Sequence, residues 1–219
     1  MSKKIVFMSD SSELEILRPF PSSRATPSWY RKMQGVNDGV MSVKKCVPFL
    51  DSLAAGYMIP LTTDVFWNKE SKDFNSNSII HPVSMHELSQ TKEVEIPKGY
   101  NPTPFKWNSN WMMKTPKGYS TLFVHPLNRL DLPFYSFSGI VDTDKHPLII
   151  NFPFVVKKNF NGKIEAGTPM IQAIPFKRDS WSSKIIDEGP SYSYPYTYKV
   201  MEPPFGYYKR NFWSRKEFR

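Results

Sequence analysis

The chain has 219 residues, of which 40% are hydrophobic and 22% are charged, and its formal net charge is +9. This apolar content excludes a disordered chain, and the length predicts a single β-rich domain over 1–219. The 20 prolines exclude long helices, because proline lacks the amide donor and fixes φ.

The cysteine content and the apolar runs predict the compartment. Cys46 is the single cysteine, so an internal disulfide is excluded, and no run of apolar residues reaches the length of a membrane span. We therefore expect a cytoplasmic protein, in a bacterium or an infected host cell, with no membrane partner. Basic residues outnumber acidic ones by 29 to 20, which favours anionic partners, and only the run 207–219 concentrates them, among aromatic rings.

The first half of the chain predicts few elements. A strand is expected at 4–8 and an acidic helical turn at 13–17. Apolar residues recur at helical spacing over 43–54, where Pro48 lies near the start and Gly56 follows as a stop, so one short helix is predicted. The stretch 57–67 is rich in strand formers and leads to a hairpin into 78–81, and 93–96 alternates like a half-buried strand.

The second half predicts the sheet core. Four apolar runs bounded by turn residues, at 120–124, 135–141, 148–156 and 168–176, are expected to form consecutive strands. Alternating tyrosines over 192–198 fit an edge strand or an extended wrap. The predicted fold is mostly β, an antiparallel β-sandwich or barrel with one short helix and long wrapping termini. The expected core residues are Ile149, Ile150, Phe152, Met170 and Ile174.

One stretch is similar to a known superfamily. Over 122–176 the predicted order is a strand, a polar turn and a second strand, followed by Gly139-Ile-Val-Asp142. An apolar strand that ends in Asn151 comes next, and then Gly167-Thr-Pro-Met-Ile-Gln172. This order resembles the β-clip core of the dUTPase and dCTP-deaminase superfamily. The resemblance implies that Asp142 or Asp144 occupies the acidic turn, that Gln172 is the strand glutamine, and that the activity is nucleotide hydrolysis or deamination.

The chain departs from that superfamily at its functional motifs. Lys145, His146 and Pro147 follow Asp144 where the family has Tyr-Arg-Gly, and Arg129 stands without the two serines of the family's phosphate motif. Through Pro27-Ser-Trp-Tyr-Arg31, His125-Pro-Leu-Asn-Arg129 and the Gly167–Gln172 block, the chain also resembles uncharacterised proteins of this size from tailed phages and marine bacteria. That second resemblance implies no activity and leaves open whether a virus encodes the protein.

Two polar turns carry the densest set of candidate ligand-binding side chains. They are His125, Asn128, Arg129 and Asp131 in the first turn, and Asp142, Asp144 and His146 in the second, with Gln172 on a later strand. If both turns lie at the same end of adjacent strands, they form one mouth that binds a small anion through Arg129 or a cation through the carboxylates. The alternative is a structural ion pair between Arg129 and a nearby carboxylate.

Other chemistry has weaker signals. The histidines, His81, His86, His125 and His146, lack the His-x-His pairing that places two metal ligands on one strand face, so no metal ligands are assigned. Cys46 is expected on the apolar face of the short helix, as a small hydrophobe. The run 207–219 either docks onto the β core, which we favour, or binds nucleic acid by pairing phosphates with stacking rings.

These observations lead to one hypothesis with two alternatives. The leading hypothesis is a non-catalytic binding or assembly protein, whose partner is an unknown protein or a small anionic ligand. The alternatives are a β-clip nucleotide hydrolase or deaminase and a cupin-like metalloenzyme. No cofactor is assigned, and no catalytic residue.

Overall fold

The computed structural model describes residues 3–9, 17–79, 81–186, 199 and 206–219. The strands within these ranges are β1 (Val6–Met8), β2 (Phe20–Pro21), β3 (Val36–Asn37), β4 (Val40–Met41), β5 (Tyr57–Pro60), β6 (Val65–Asn68), β7 (Asp73–Asn75), β8 (Val83–Met85), β9 (Phe105–Lys114), β10 (Tyr119–Val124), β11 (Phe134–Ser136), β12 (Gly139–Val141), β13 (Ile149–Val156), β14 (Gly162–Ile164) and β15 (Pro169–Lys177). The tyrosines at 192–198 lie outside the described residues, and so does the predicted acidic turn at 13–17 except for residue 17.

The helices are short. They are α1 (Ser28–Lys32), α2 (Val47–Ala54), α3 (Leu88–Thr91) and α4 (Tyr207–Asn211), with 3-10 turns at Ser22–Ala25 and Val43–Lys45. The helix predicted over 43–54 is confirmed as α2, which has Pro48 in its first turn and follows a separate 3-10 turn. Cys46 lies between the two with an extended backbone and is exposed, so its expected place on an apolar helix face is wrong. None of the helices in the described ranges is long and apolar enough to span a bilayer.

Two five-stranded antiparallel sheets form the body. The first, sheet A, has the order β1-β9-β13-β11, with β8 also paired to β9, and the second, sheet B, has the order β12-β10-β15-β5-β2. A third sheet, β14-β6-β7, adds to the same apolar core. The antiparallel β-sandwich is confirmed, and no sheet in the described part of the chain closes into a barrel.

Three of the four strands predicted in the second half are confirmed as β10, β13 and β15. The fourth, 135–141, is two strands, because the chain leaves sheet A after β11 and enters sheet B as β12. The stretch 57–67 likewise divides into β5 and the start of β6, and the hairpin there is β6–β7 instead of a return into 78–81. The strand predicted at 93–96 is wrong, since this stretch is irregular after α3.

The longest strand, β9, was not predicted although its sequence carries a clear signal. Its residues alternate between buried and partly exposed along nearly the whole strand. This alternation is what a strand buried on one face requires. It pairs with β1, β8 and β13 and therefore organises sheet A.

Aromatic rings fill the space between the sheets. Trp107 of β9 stacks on Phe154 of β13 with ring centroids 3.6 Å apart and planes 5° from parallel. The Trp107 indole donates to the Ser136 hydroxyl at 3.1 Å, and that hydroxyl donates to the Met170 carbonyl at 2.7 Å. This buried chain of hydrogen bonds joins sheet A to sheet B.

The expected core residues are mostly confirmed. Ile150, Phe152 and Met170 are buried, and Ile174 is half-buried. Ile149 is 45% exposed, so its predicted burial is wrong. The reason is the strand period of two, which turns Ile149 outward when Ile150 and Phe152 face the core.

Candidate functional site

The first polar turn, residues 125–131, follows β10 and is tied to several parts of the fold. Arg129 binds Asp131 through two nitrogens, Nε to Oδ1 and Nη2 to Oδ2, each at 2.9 Å. Arg129 also donates to the Ala25 carbonyl at 3.3 Å, and Asn128 donates to the Ser52 hydroxyl at 2.7 Å. The predicted ion pair of Arg129 is therefore confirmed with Asp131, and its geometry is that of a brace between the turn and the N-terminal segment.

Gln172 on β15 is fully buried and holds three segments together. Its amide nitrogen donates to the Ser52 carbonyl at 2.9 Å and to the Ala55 carbonyl at 2.6 Å. Its side-chain oxygen accepts from the Leu127 amide at 2.8 Å. These contacts join β15, the end of α2 and the first polar turn, so both amide hydrogens of Gln172 are used inside the protein.

His125 is buried beneath the same turn. Its Nε2 contacts the Arg129 carbonyl at 3.2 Å, and its Nδ1 accepts from the Ser136 amide at 3.3 Å. Together these contacts select the neutral tautomer that carries its proton on Nε2. Burial is the main cause that lowers the pKa of His125 below its usual value.

This lowered pKa predicts a loss of stability in mild acid. The unfolded chain binds a proton at His125 more readily than the folded chain, so the contribution is complete above the unfolded pKa of about 6.5 and is lost as the pH falls below it. We expect the free energy of unfolding in urea to fall between about pH 7.5 and about pH 5.5. The fall should be smaller in His125→Gln, and an equal fall in both proteins would contradict this role.

The second polar turn, residues 142–146, is held by an arginine that follows β15. Arg178 contacts Asp144 at 2.7 and 2.5 Å and Asp142 at 3.2 Å. Asp144, with only 3% of its side chain exposed, also accepts from the Gly118 amide at 2.8 Å. The Arg178 guanidinium beside it holds the pKa of Asp144 far below the usual range, and a hydrogen bond from Ser120 lowers that of Asp142.

Beneath this ion pair lies a buried group of threonine hydroxyls. The Thr143 hydroxyl lies 2.8 Å from those of both Thr115 and Thr121, and Thr115 donates to the Tyr119 carbonyl at 3.0 Å. The last candidate of this turn, His146, donates its backbone amide to the Asp142 carbonyl at 2.9 Å, and its Nδ1 contacts the backbone of Leu148. The second turn is thus a compact structural corner.

The two turns do not form a common mouth. Antiparallel pairing sets Val141 beside Thr121, near the start of β10, whereas 125–131 follow the end of that strand. The length of β10 separates the turns by roughly 17 Å. The condition for convergence, namely turns at the same end of adjacent strands, is therefore not met, and Arg129 lies with Asp131 alone of the three expected carboxylates.

Sequence reasoning missed Arg178, which is central to the second turn. The sequence feature that could have pointed to Arg178 is its position just after the strand predicted at 168–176. The register that sets Lys177 beside Tyr119 brings Arg178 to Gly118, but this pairing joins segments almost sixty residues apart. A pairing of that range has no local sequence signature.

The C-terminal run docks onto the body, as favoured from the sequence. The Trp213 indole donates to Asp51 at 2.9 Å, and the Phe218 ring packs edge-on against Tyr57 with centroids 6.0 Å apart. The Tyr57 hydroxyl donates to the Arg219 carbonyl at 3.1 Å. The run therefore uses its aromatic residues for packing and leaves most of its basic groups exposed.

No group of three or more His, Cys, Asp or Glu side chains suited to a metal ion occurs within the described ranges. The cupin-like alternative therefore has no candidate ligand set there. In particular, His125 has both ring nitrogens in contact with backbone groups.

Comparisons with known proteins show a weak likeness to solved structures. No protein-family model matches the chain, and no curated protein does. Among solved structures the chain is similar to a mutant dUTPase of Staphylococcus bacteriophage 80alpha, solved with dUpNHpp. The identity is 12% and the TM-score is 0.39, over 93% of this chain and 96% of that one. A likeness at this level is one of fold alone and carries no information on activity.

Proposed function

We propose that the chain is a non-catalytic binding and assembly protein that associates with a second copy of itself through an extended arm. The arm is residues 179–186, which follow β15 without regular secondary structure. The observation that carries the proposal is the exposure of its large apolar side chains. Trp181 is 90% exposed and Ile185 is 96% exposed, and Ile186 is exposed beside them.

Burial of these apolar side chains in an interface would contribute a large favourable free energy, which the single chain does not gain. Burying one tryptophan removes about 150–250 Å² from water. At about 25 cal/mol per Å² the gain is about 4–6 kcal/mol before the costs of ordering. Apolar side chains grouped on one exposed segment are typical of an interaction site.

The same chain offers an apolar cleft close to the start of the arm. The cleft is lined by Met8, Ser9, Met112, Pro147, Leu148 and Ile149 and has a volume of about 650 Å³. Arg178, immediately before the arm, is bound to Asp144, and the loop that contains Asp144 runs on into the cleft. The start of the arm and the cleft therefore lie at the same end of the sandwich.

The presence of both an exposed apolar arm and an apolar cleft in one chain favours a second copy of the chain as the occupant of the cleft. A chain that carries both an arm and a matching cleft forms a closed two-fold dimer, in which each copy gives one arm and receives one. The polar turns support a role other than catalysis, because Gln172, Asp144 and Arg129 are engaged in contacts that brace the fold. The nucleotide-hydrolase alternative needs Gln172 and Asp144 as nucleotide-site residues, and both are used in these contacts.

Sedimentation equilibrium tests the proposal. We expect the chain to reach twice its monomer mass of 25.5 kDa as its concentration rises. The double variant Trp181→Ser/Ile185→Ser and the cleft variant Leu148→Ser should remain monomeric. The control is Ile79→Ser, which removes an equally exposed apolar side chain outside arm and cleft and should still dimerise. A monomeric parent chain, or a dimer that survives both arm and cleft changes, would contradict the proposal.

A further inference from the structure

The N-terminal strand and the last residues of the chain meet beside β5 and β10 and enclose a two-part groove, here called the terminal groove. One part, of about 700 Å³, extends along β1 to Phe7, and the other, of about 460 Å³, extends to Tyr119. Both parts are lined by Lys3, Lys4 and Tyr57. The two parts adjoin, because these shared residues border both of them.

The charge of the terminal groove is positive. Lys3, Lys4 and Arg219 line it and are exposed. Its acidic lining residue, Glu217, is bound by two arginines, at 2.7 Å to Arg215 and at 2.5 Å to Arg219. The local excess of cations thus agrees in sign with the net charge of the chain, which attracts anionic ligands from a distance.

Aromatic rings line the groove together with these cations. Tyr57, Tyr119 and Phe218 are each half-buried, so part of each ring faces the groove region. The Lys3 ammonium lies 4.4 Å from the centre of the Tyr119 ring. Cations that track a phosphate backbone, interleaved with rings on which bases stack, are the two components of sites for single-stranded nucleic acid.

We propose that the terminal groove binds single-stranded nucleic acid, with phosphates on the lysines and a base against the Phe218 ring. An acidic peptide would satisfy the cations alone, whereas a nucleotide base would also stack on the part of the Phe218 ring that its contact with Tyr57 leaves exposed. The rings therefore favour nucleic acid over a polyacidic protein segment. The proposal is independent of the arm, since the groove and the arm share no residue.

Fluorescence anisotropy with a short labelled oligodeoxythymidylate tests this proposal. With about three phosphate contacts, the logarithm of the binding constant should fall with the logarithm of salt concentration with a slope of about −2. Lys3→Gln/Lys4→Gln should weaken binding about ten-fold and reduce the slope by about 1.4. The matched control, Lys98→Gln/Lys158→Gln, removes two exposed lysines at the far end of sheet A and should leave both quantities nearly unchanged.

A second variant tests the stacking part. Phe218→Leu keeps apolar packing against Tyr57 but removes the ring, and we expect it to weaken binding about ten-fold, with its melting temperature as the check on folding. Binding that Phe218→Leu leaves unchanged, or that polyglutamate competes for as well as unlabelled oligonucleotide, would assign the groove to general anion attraction and overturn the proposal. Equal weakening by the control pair, or no binding at low salt, would overturn it as well.

Discussion

Phe154→Ala is expected to lower the free energy of unfolding by about 3–5 kcal/mol, the cost of removing a buried aromatic ring and leaving a cavity. Phe154 is fully buried and lies face to face with Trp107. It also contacts the rings of Phe74, Phe105 and Phe134. Because one ring supports four others, the cavity cannot close by moving a single neighbour.

Urea unfolding of the variant and of a control measures this effect. The control is Phe66→Ala on β6, since Phe66 is 45% exposed and should cost less than about 1 kcal/mol. Equal losses in the two variants would show that the aromatic cluster between the sheets is not the main apolar core.

Gln172→Ala is expected to cost about 3 kcal/mol, because it leaves three partly buried backbone groups without their partner. The carbonyls of Ser52 and Ala55 and the amide of Leu127 all bind the Gln172 side chain. The control Gln90→Ala removes an exposed glutamine and should be nearly neutral.

The same variant separates two roles of Gln172. If its side chain braces the fold, the loss appears in the free energy of unfolding of the protein alone, with no ligand added. If Gln172 were instead a nucleotide contact, as the superfamily resemblance implies, the variant would melt like the parent chain and lose stabilisation by added dUTP. Unchanged stability together with a lost nucleotide effect would overturn the structural interpretation.

The fold class could be predicted because it depends on local properties. Proline spacing and the alternation of apolar residues indicate strands wherever they occur, and α2 has its own start and stop residues. Sheet membership could not be predicted, since 135–141 reads as one apolar run although the chain changes sheets within it. Strand β9 was missed for a different reason. Its signal is local, because Phe105, Trp107 and Trp111 occupy alternate positions on one face of the strand.

The candidate site was predicted in its parts and not in its arrangement. The ion pair of Arg129 follows from a carboxylate two residues away, which is a local relation. Whether the two turns share one end of the sheet depends on the pairing of β10 with β12 and β15, which is long-range. The role of Arg178 depends on the same register, so it became visible only with the strands in place.

The arm and its cleft were also beyond local prediction. Trp181, Ile185 and Ile186 have the composition of a segment that packs on a core, and a sequence pattern cannot state that they remain exposed. Exposure follows from the end of β15 at Lys177, after which the chain leaves the sheet. The cleft depends on β1 and β13 meeting at the end of β9.

The most direct test of arm exchange is a disulfide between two different copies. In chains that carry Cys46→Ser, one variant receives Ile185→Cys in the arm and another receives Leu148→Cys in the cleft. A disulfide requires Cα atoms within about 4.4–6.8 Å, so mixing the two variants under mild oxidation reports direct contact. We predict a covalent dimer of twice 25.5 kDa from this mixture, formed faster than from a mixture in which Ile79→Cys replaces Ile185→Cys. Equal rates of cross-linking in the two mixtures would contradict the proposal that the arm of one copy occupies the cleft of another.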